Sequence, residues 1–245
     1  MGEVIAVVSG KGGTGKTSVC AGLATALAES GETVLCIDCD IGLRNLDISL
    51  GLAQMDALSF LEVCRGEYTL EQAAIHPDYP KLRFLTAPMN CQPQDIDGKA
   101  FSQLLRQARN TCSYILLDAP AGIDAGFHLA AKYADRVLLV TGADPASVRD
   151  AARAGELLEL MGKPEVRLVV NRINPKMVSA MKLTVDDVMD QSGLPLIGIV
   201  PEDPQVTLRA AFEKPLLKCT RKGAAAACVR IAKRIQGLPV PIDIR

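Results

Sequence analysis

Residues Ser9 to Ser18 read SGKGGTGKTS, in which Gly10, Gly15, Lys16 and Thr17 satisfy the spacing G-x-x-x-x-G-K-[ST]. Gly10, Gly12, Gly13 and Gly15 let the backbone N–H groups around Thr14 turn inward about anionic oxygens. The amino end of a helix starting at Lys16 to Ser18 adds a favourable dipole. In such a cradle Lys16 neutralises the β- and γ-phosphates of a nucleotide, and the Thr17 hydroxyl completes a magnesium shell. A purely structural glycine turn accounts less well for the segment, because it falls between a strand pattern and a helix pattern. Lys11 is a separate matter: closing the loop does not require it, and burying its charge is costly unless an anion or a partner meets it.

Further carboxylates and amides follow apolar runs. In DCDIGLRNLD, Asp38 and Asp40 share a side if the strand continues that far, and one of them can orient a water while the other acts through magnesium-bound water. In YILLDAPAG, Asp118 follows four apolar or aromatic residues, the position of a metal-side carboxylate, and Gly122 lets a backbone amide approach a γ-phosphate. The competing reading of Asp118 is a turn or helix-cap residue. VVNRINP and IVPEDPQV place Asn171 and Arg172, then Pro201, Glu202 and Asp203, at two more strand ends. There an amide can read an adenine edge and a proline can pack on its face. Arg172 suits a surface ion pair equally well.

The elements that must hold these groups are legible as a pattern. Val4–Val8 is a continuous apolar run, and helical spacing runs from Lys16 to Glu29 before Gly31. Thr33–Ile37, Arg83–Thr86, Tyr114–Leu117, Arg136–Thr141, Arg167–Val170 and Leu196–Val200 bring the candidate strands to about seven, separated by helical segments. The expectation is an α/β fold, a mostly parallel sheet with helices on both faces in the three-layer P-loop arrangement. HPDYPKL and NCQPQDIDG read as loops within one domain spanning 1–245.

Composition sets outer bounds. Of 245 residues 49% are hydrophobic and 22% charged, enough for a substantial core. The formal charge of -1 argues against a generally basic nucleic-acid-binding surface. Eight cysteines and no apolar leader fit a reducing cytoplasm. No run of about twenty apolar residues predicts a membrane span. Cys36 and Cys39 have CxxC spacing, but at a strand end residues three apart point to opposite faces, so the pair is expected to be ordinary thiols.

KGGTGKT resembles the deviant Walker A motif of the MinD/ParA family of ATPases, and DIGLRNLD, PAGID, SVRDA, NRINP and GIVPED follow in that family's order. The resemblance implies ATP and Mg²⁺ as cofactors, hydrolysis to ADP and phosphate, and a homodimer when ATP is bound. In that dimer Lys11 reaches the phosphates of the other subunit, much as an inserted arginine finger does. It further implies that Asp40 positions the attacking water, that Asp38 supports the site with Thr17 and Asp118 on the metal side, and that Asn171 and Pro201 touch the nucleotide.

GLRNLD and PAGI favour the family's cell-division branch over its chromosome-partitioning and iron-sulfur-carrier branches. With that branch come septum-site placement, a MinC-like inhibitor meeting Asp150 in SVRDA, and a MinE-like or other activator. The expected location is the cytoplasm, with cycling to the inner face of the cell membrane as the family's habit. The last residues depart from the pattern: GLPVPIDIR, with Pro239 and Pro241, predicts a non-helical tail over 237–245 in place of a membrane-targeting helix. RKGAAAACVRIAKRIQGL has a basic amphipathic pattern, and its small alanines favour a last helix packed on the core over one lying on lipid.

Overall fold

The computed structural model describes residues 1–181 and 184–242. In chain order the elements are β1 (Glu3–Val8), α1 (Lys16–Glu29), β2 (Val34–Asp38), α2 (Leu46–Leu50), α3 (Phe60–Cys64), β3 (Ala74–His76), β4 (Tyr79–Leu85) and α4 (Gly98–Thr111). They continue as β5 (Tyr114–Asp118), α5 (Ala125–Tyr133), β6 (Arg136–Thr141), α6 (Pro145–Leu160), β7 (Val166–Ile173), α7 (Pro175–Met181) and α8 (Val185–Ser192). The last are β8 (Leu196–Pro201), α9 (Pro204–Ala211), α10 (Leu216–Cys219) and α11 (Gly223–Ile235). One sheet runs β3-β4-β2-β5-β1-β6-β7-β8, parallel throughout except for the antiparallel β3–β4 pair. The strand order reverses beside β1, so the carboxyl ends of β1, β2 and β5 open into one crevice.

The central strands β1, β2, β5 and β6 are buried on both faces, which is why they read as apolar runs. On β1 the side chains alternate: Val4, Ala6 and Val8 enter the core shared with α4, α5 and α6, whereas Ile5 and Val7 enter the core under α1 and α11. The same alternation separates the two thiols, Cys36 facing the α1 side and Cys39 the other. Cys36 instead meets Cys20 of α1, with their sulfurs 3.8 Å apart. The anticipated strand positions hold: Arg136–Thr141 matches at both ends, and no other end is shifted by more than four residues.

One expectation fails. HPDYPKL is not a loop: His76 ends β3 and Tyr79 begins β4, forming a hairpin at the sheet edge. Pro80 disguised it, since proline supplies no ladder donor. It is tolerated because β4 starts pairing with β2 only at Leu82, beyond the proline. NCQPQDIDG is the expected connection, containing a short turn at Pro93–Asp95.

The last helix packs on the domain. Ala224, Ala225, Ala227, Cys228, Ile231, Ala232 and Ile235 of α11 are all buried, and Gly22 of α1 admits the helix because a Cβ there would lie 2.5 Å from the Cys228 sulfur. Leu238 to Ile242 have no regular secondary structure, and the Arg234 guanidinium holds them by donating to the Val240 carbonyl at 2.9 Å and to that of Pro241. Residues 243–245 of the predicted tail lie outside the described residues. Among the described residues no helix is long and apolar enough to cross a membrane.

Ile231→Ala is expected to cost about 2–5 kcal/mol of folding stability, the usual range for emptying a fully buried aliphatic site. Urea denaturation followed by circular dichroism measures it, and an unchanged midpoint would place Ile231 outside the core.

Candidate functional site

The cradle follows β1 directly. Gly10 is required by close approach: a Cβ there would sit 2.3 Å from the Asp150 carbonyl oxygen of α6. Gly15, at φ 81°, precedes α1, and its missing Cβ leaves room for the Asn171 side-chain amide, which would otherwise lie 2.3 Å away. Gly12 and Gly13 need no such clearance from neighbours. With Thr14, Lys16, Thr17 and Ser18 they form a loop whose amides precede a helix amino terminus.

Lys16 is only 6% exposed, and its ammonium donates to Asp118 Oδ1 at 2.9 Å and to the Thr17 hydroxyl at 3.4 Å. Burial alone pushes that ammonium down, and the Asp118 carboxylate more than reverses the effect, so Lys16 sits above its ordinary value and stays charged. Asp118 is 1% exposed, and its second oxygen, Oδ2, has no hydrogen-bond partner among the described residues. A buried carboxylate oxygen without a donor, next to the Thr17 hydroxyl, is the oxygen-rich setting that a magnesium ion fits. Thr17 and Asp118 are therefore suited to hold such an ion.

Asp38 behaves differently from the sequence expectation. The strand ends at Asp38 and does not continue to Asp40, so the alignment that a continued strand would impose is not in force. Asp38 turns into the following loop, where Oδ1 accepts the Asp40 N–H at 2.9 Å and Oδ2 accepts those of Asn45 and Leu46 at 3.3 and 3.2 Å. Burial and the neighbouring Asp118 charge raise its carboxyl to about 7, against those three donors. It shapes the loop that carries Asp40. Asp40 is half-buried and raised by burial, while Lys16 pulls it back, so it shares the electrostatic environment of the cradle.

Lys11 is a third exposed and pairs with Asp144 at 3.3 Å. Asp144 also caps α6 by accepting the Ser147 N–H at 3.0 Å. The lysine thus has a carboxylate on its own chain. Gly122 adopts φ 89°, and its N–H donates to the Ser9 carbonyl at 3.2 Å, tying the loop after β5 to the start of the cradle. Asp150 is half-buried on α6, beside the Gly10 backbone.

Beside the cradle lies a cavity of about 450 Å³ that draws together every predicted base-side residue: Asn171, Arg172, Pro201, Glu202 and Asp203 all line it. The β7–β8 register slips between Val170 and Ile173, and this irregularity aims Asn171 and Arg172 at the cradle. Asn171 donates to the Thr14 carbonyl at 2.7 Å, and Arg172, at φ 58°, donates to that of Gly13 at 3.2 Å. Arg172 also makes the ion pair that its sequence allowed, with Glu202 at 3.7 Å. Both oxygens of Asp203 accept backbone N–H groups, from Gln205 and Ala224. Sequence reading missed Asn174, Val206, Thr207 and Cys228 in the lining. Thr207 and Cys228 carry no motif, and only the packing of α9 and α11 brings them there.

A phosphate cradle at a sheet switch point, with a buried lysine, a buried acid behind it and a base-sized cavity beside it, defines a P-loop nucleotide-binding protein. The family model described as the CobQ/CobB/MinD/ParA nucleotide binding domain matches residues 5–216, and the chain belongs to that family. Septum site-determining protein MinD of Synechocystis is 37% identical over 244 residues, covering 98% of this chain and 92% of that protein. The fold superposes on the MinC:MinD cell division protein complex of Aquifex aeolicus with TM-score 0.91 and 36% identity, covering 98% of both chains. Septum site-determining protein MinD from Pyrococcus horikoshii, complexed with Mg-ADP, gives TM-score 0.83 and 26% identity over 96% of both chains.

Two outcomes follow. Lys16→Met should lower nucleotide-free stability by about 3–5 kcal/mol, because it strands a buried Asp118 charge, whereas the Lys16→Met/Asp118→Asn double variant should recover most of the loss. Additive losses in urea denaturation would mean the pair is not coupled. Because Asp38 is raised, the folded chain keeps a proton that the unfolded chain has released. Its contribution to the stability of nucleotide-free protein should therefore fall by ~2–4 kcal/mol as pH rises from about 4 to about 7, then level off. Asp38→Asn should flatten that part of the pH profile, and an unchanged slope would show that Asp38 titrates in the ordinary range.

Proposed function

We propose that this chain is a MinD-type ATPase that dimerises with ATP, hydrolyses it to ADP and phosphate, and regulates placement of the division septum. The observation that carries the reading is the buried Lys16–Asp118 pair with its unpartnered carboxylate oxygen beneath the glycine cradle. It puts a fixed cation and an acid where a nucleotide's phosphates and their magnesium ion would meet. The Mg-ADP complex of the Pyrococcus horikoshii relative supports both cofactors, and the Aquifex aeolicus complex supports a MinC-like inhibitor as partner. These comparisons favour the cell-division reading over a ParA-like positioning role, and the opposed faces of Cys36 and Cys39 argue against an iron-sulfur carrier.

The residues divide the work by position. Cradle amides from Gly10 to Ser18 bind and orient phosphate oxygens, and Lys16 neutralises charge on the β- and γ-phosphates. Magnesium, when bound through Thr17 and Asp118, neutralises phosphate charge and leaves the transferring group more electrophilic. Asp40, on the loop that Asp38 shapes, holds the attacking water by accepting its hydrogen bond. Gly122 gives the loop after β5 the freedom to exchange its Ser9 contact for a γ-phosphate oxygen. Asn171 and Pro201 meet the base, and Arg172 and Glu202 guard its rim.

Lys11 leaves Asp144 to reach the phosphates on a second chain, so the site is completed by dimerisation. Asp150 on the same helix faces the MinC-like partner, and a MinE-like or other activator acts on the assembled dimer. The protein works from the cytoplasm, and its contact with the inner face of the cell membrane is peripheral.

Lys16→Ala should abolish ATP hydrolysis, measured as phosphate release. Lys11→Ala should keep ADP binding yet lower turnover about a thousandfold or more, with ATP-dependent dimerisation lost in analytical ultracentrifugation. Normal turnover in Lys16→Ala would overturn the ATPase assignment. Normal dimerisation and turnover in Lys11→Ala would overturn the cross-subunit role alone.

A further inference from the structure

Asp203 lines the base-side cavity, yet its carboxylate is committed elsewhere. Oδ1 accepts the Gln205 N–H at 2.9 Å and so caps α9, the helix that its own loop enters. Oδ2 accepts the Ala224 N–H at 3.0 Å, near the start of α11, twenty-one residues further along the chain. The N-cap residue of α11, Lys222, provides no side-chain cap, so Asp203 supplies from another loop what the helix lacks locally. Gly223 makes this possible: it adopts φ 57°, and a Cβ there would lie 2.3 Å from Asp203 Oδ2.

Both capped helices line the cavity: Pro204, Val206 and Thr207 of α9, and Ala224 and Cys228 of α11. Cys228 also abuts Gly22 on α1, the helix that leaves the cradle. One carboxylate therefore joins the starts of the two helices that line the base side.

We propose that Asp203 is a positioning residue which clamps the two walls of the base pocket by capping α9 and α11 together, so that affinity for the base depends on it while affinity for the phosphates does not. The proposal rests on the nucleotide reading and refines it: Asp203 acts through the backbone of both walls and needs no contact with the nucleotide. An asparagine at this position keeps one acceptor oxygen and turns an NH₂ donor toward a second N–H donor, so it undoes one of the two caps.

The test uses the full chain with magnesium, titrated by calorimetry with ATP and with inorganic tripolyphosphate, which carries the phosphates without a base. Asp203→Asn and Gly223→Ala should each weaken ATP binding about tenfold, the usual scale for a lost charge-assisted cap, and leave tripolyphosphate within about twofold of wild type. The same loss should appear as a raised KM for ATP. In nucleotide-free protein, amide hydrogen exchange at Ala224 should quicken in both variants. Gly223→Ala displaces the carboxylate without changing its chemistry. If it leaves ATP affinity intact while Asp203→Asn lowers it, the loss does not act through the shared caps and the proposal fails. An equal loss of tripolyphosphate binding, or unchanged exchange at Ala224, also overturns it. A wild-type protein that binds neither ligand would instead overturn the nucleotide reading itself.

Discussion

The structure turns on a charge problem at the carboxyl ends of β1 and β5. A lysine ammonium that is 6% exposed and a carboxylate that is 1% exposed are held 2.9 Å apart under a loop of glycines. Desolvating two ions is costly, and their attraction offsets that cost only if the remaining donors and acceptors are satisfied. Here they are not all satisfied, because Asp118 keeps one oxygen without a donor. A resting pair with an unmet acceptor is poor stability design, and on the proposed reading it is good ligand design, holding ready the groups for a phosphate and its cation.

The neighbouring elements are arranged around that constraint. Asp38, too deep to carry an unpartnered carboxylate charge at low cost, takes three backbone donors and thereby folds the loop bearing Asp40. Asn171 and Arg172 brace the glycine loop through its carbonyls, at Thr14 and Gly13, from a break in the β7–β8 register. On the far side α11 lies along α1 so closely that a glycine is needed at position 22. The phosphate side and the base side are joined through these contacts, and both depend on the sheet end that the Lys16–Asp118 pair occupies.

Much of this was legible in the sequence because it depends on local pattern. The cradle's spacing, the apolar runs of the central strands and the carboxylate after β5 each carry a signal in a window of about ten residues. What was missed depends on long-range packing or on disguise. The β3–β4 hairpin was hidden by Pro80, whose missing N–H matters little outside the pairing with β2. Asp38 and Asp40 were expected to align because a continued strand would align them, and the chain instead turned at Asp38. The carboxylate of Asp144 beside Lys11 lies 133 residues away in sequence, a juxtaposition that no local pattern records.

The decisive question is where Lys16 and Asp118 go when a nucleotide arrives. A crystal structure of the full chain with magnesium and a non-hydrolysable ATP analogue decides it. The prediction is that Lys16 leaves Asp118 for the β- and γ-phosphate oxygens, and that Asp118 Oδ2 gains its missing partner on the magnesium side. An analogue bound elsewhere, with the Lys16–Asp118 pair intact, would contradict it.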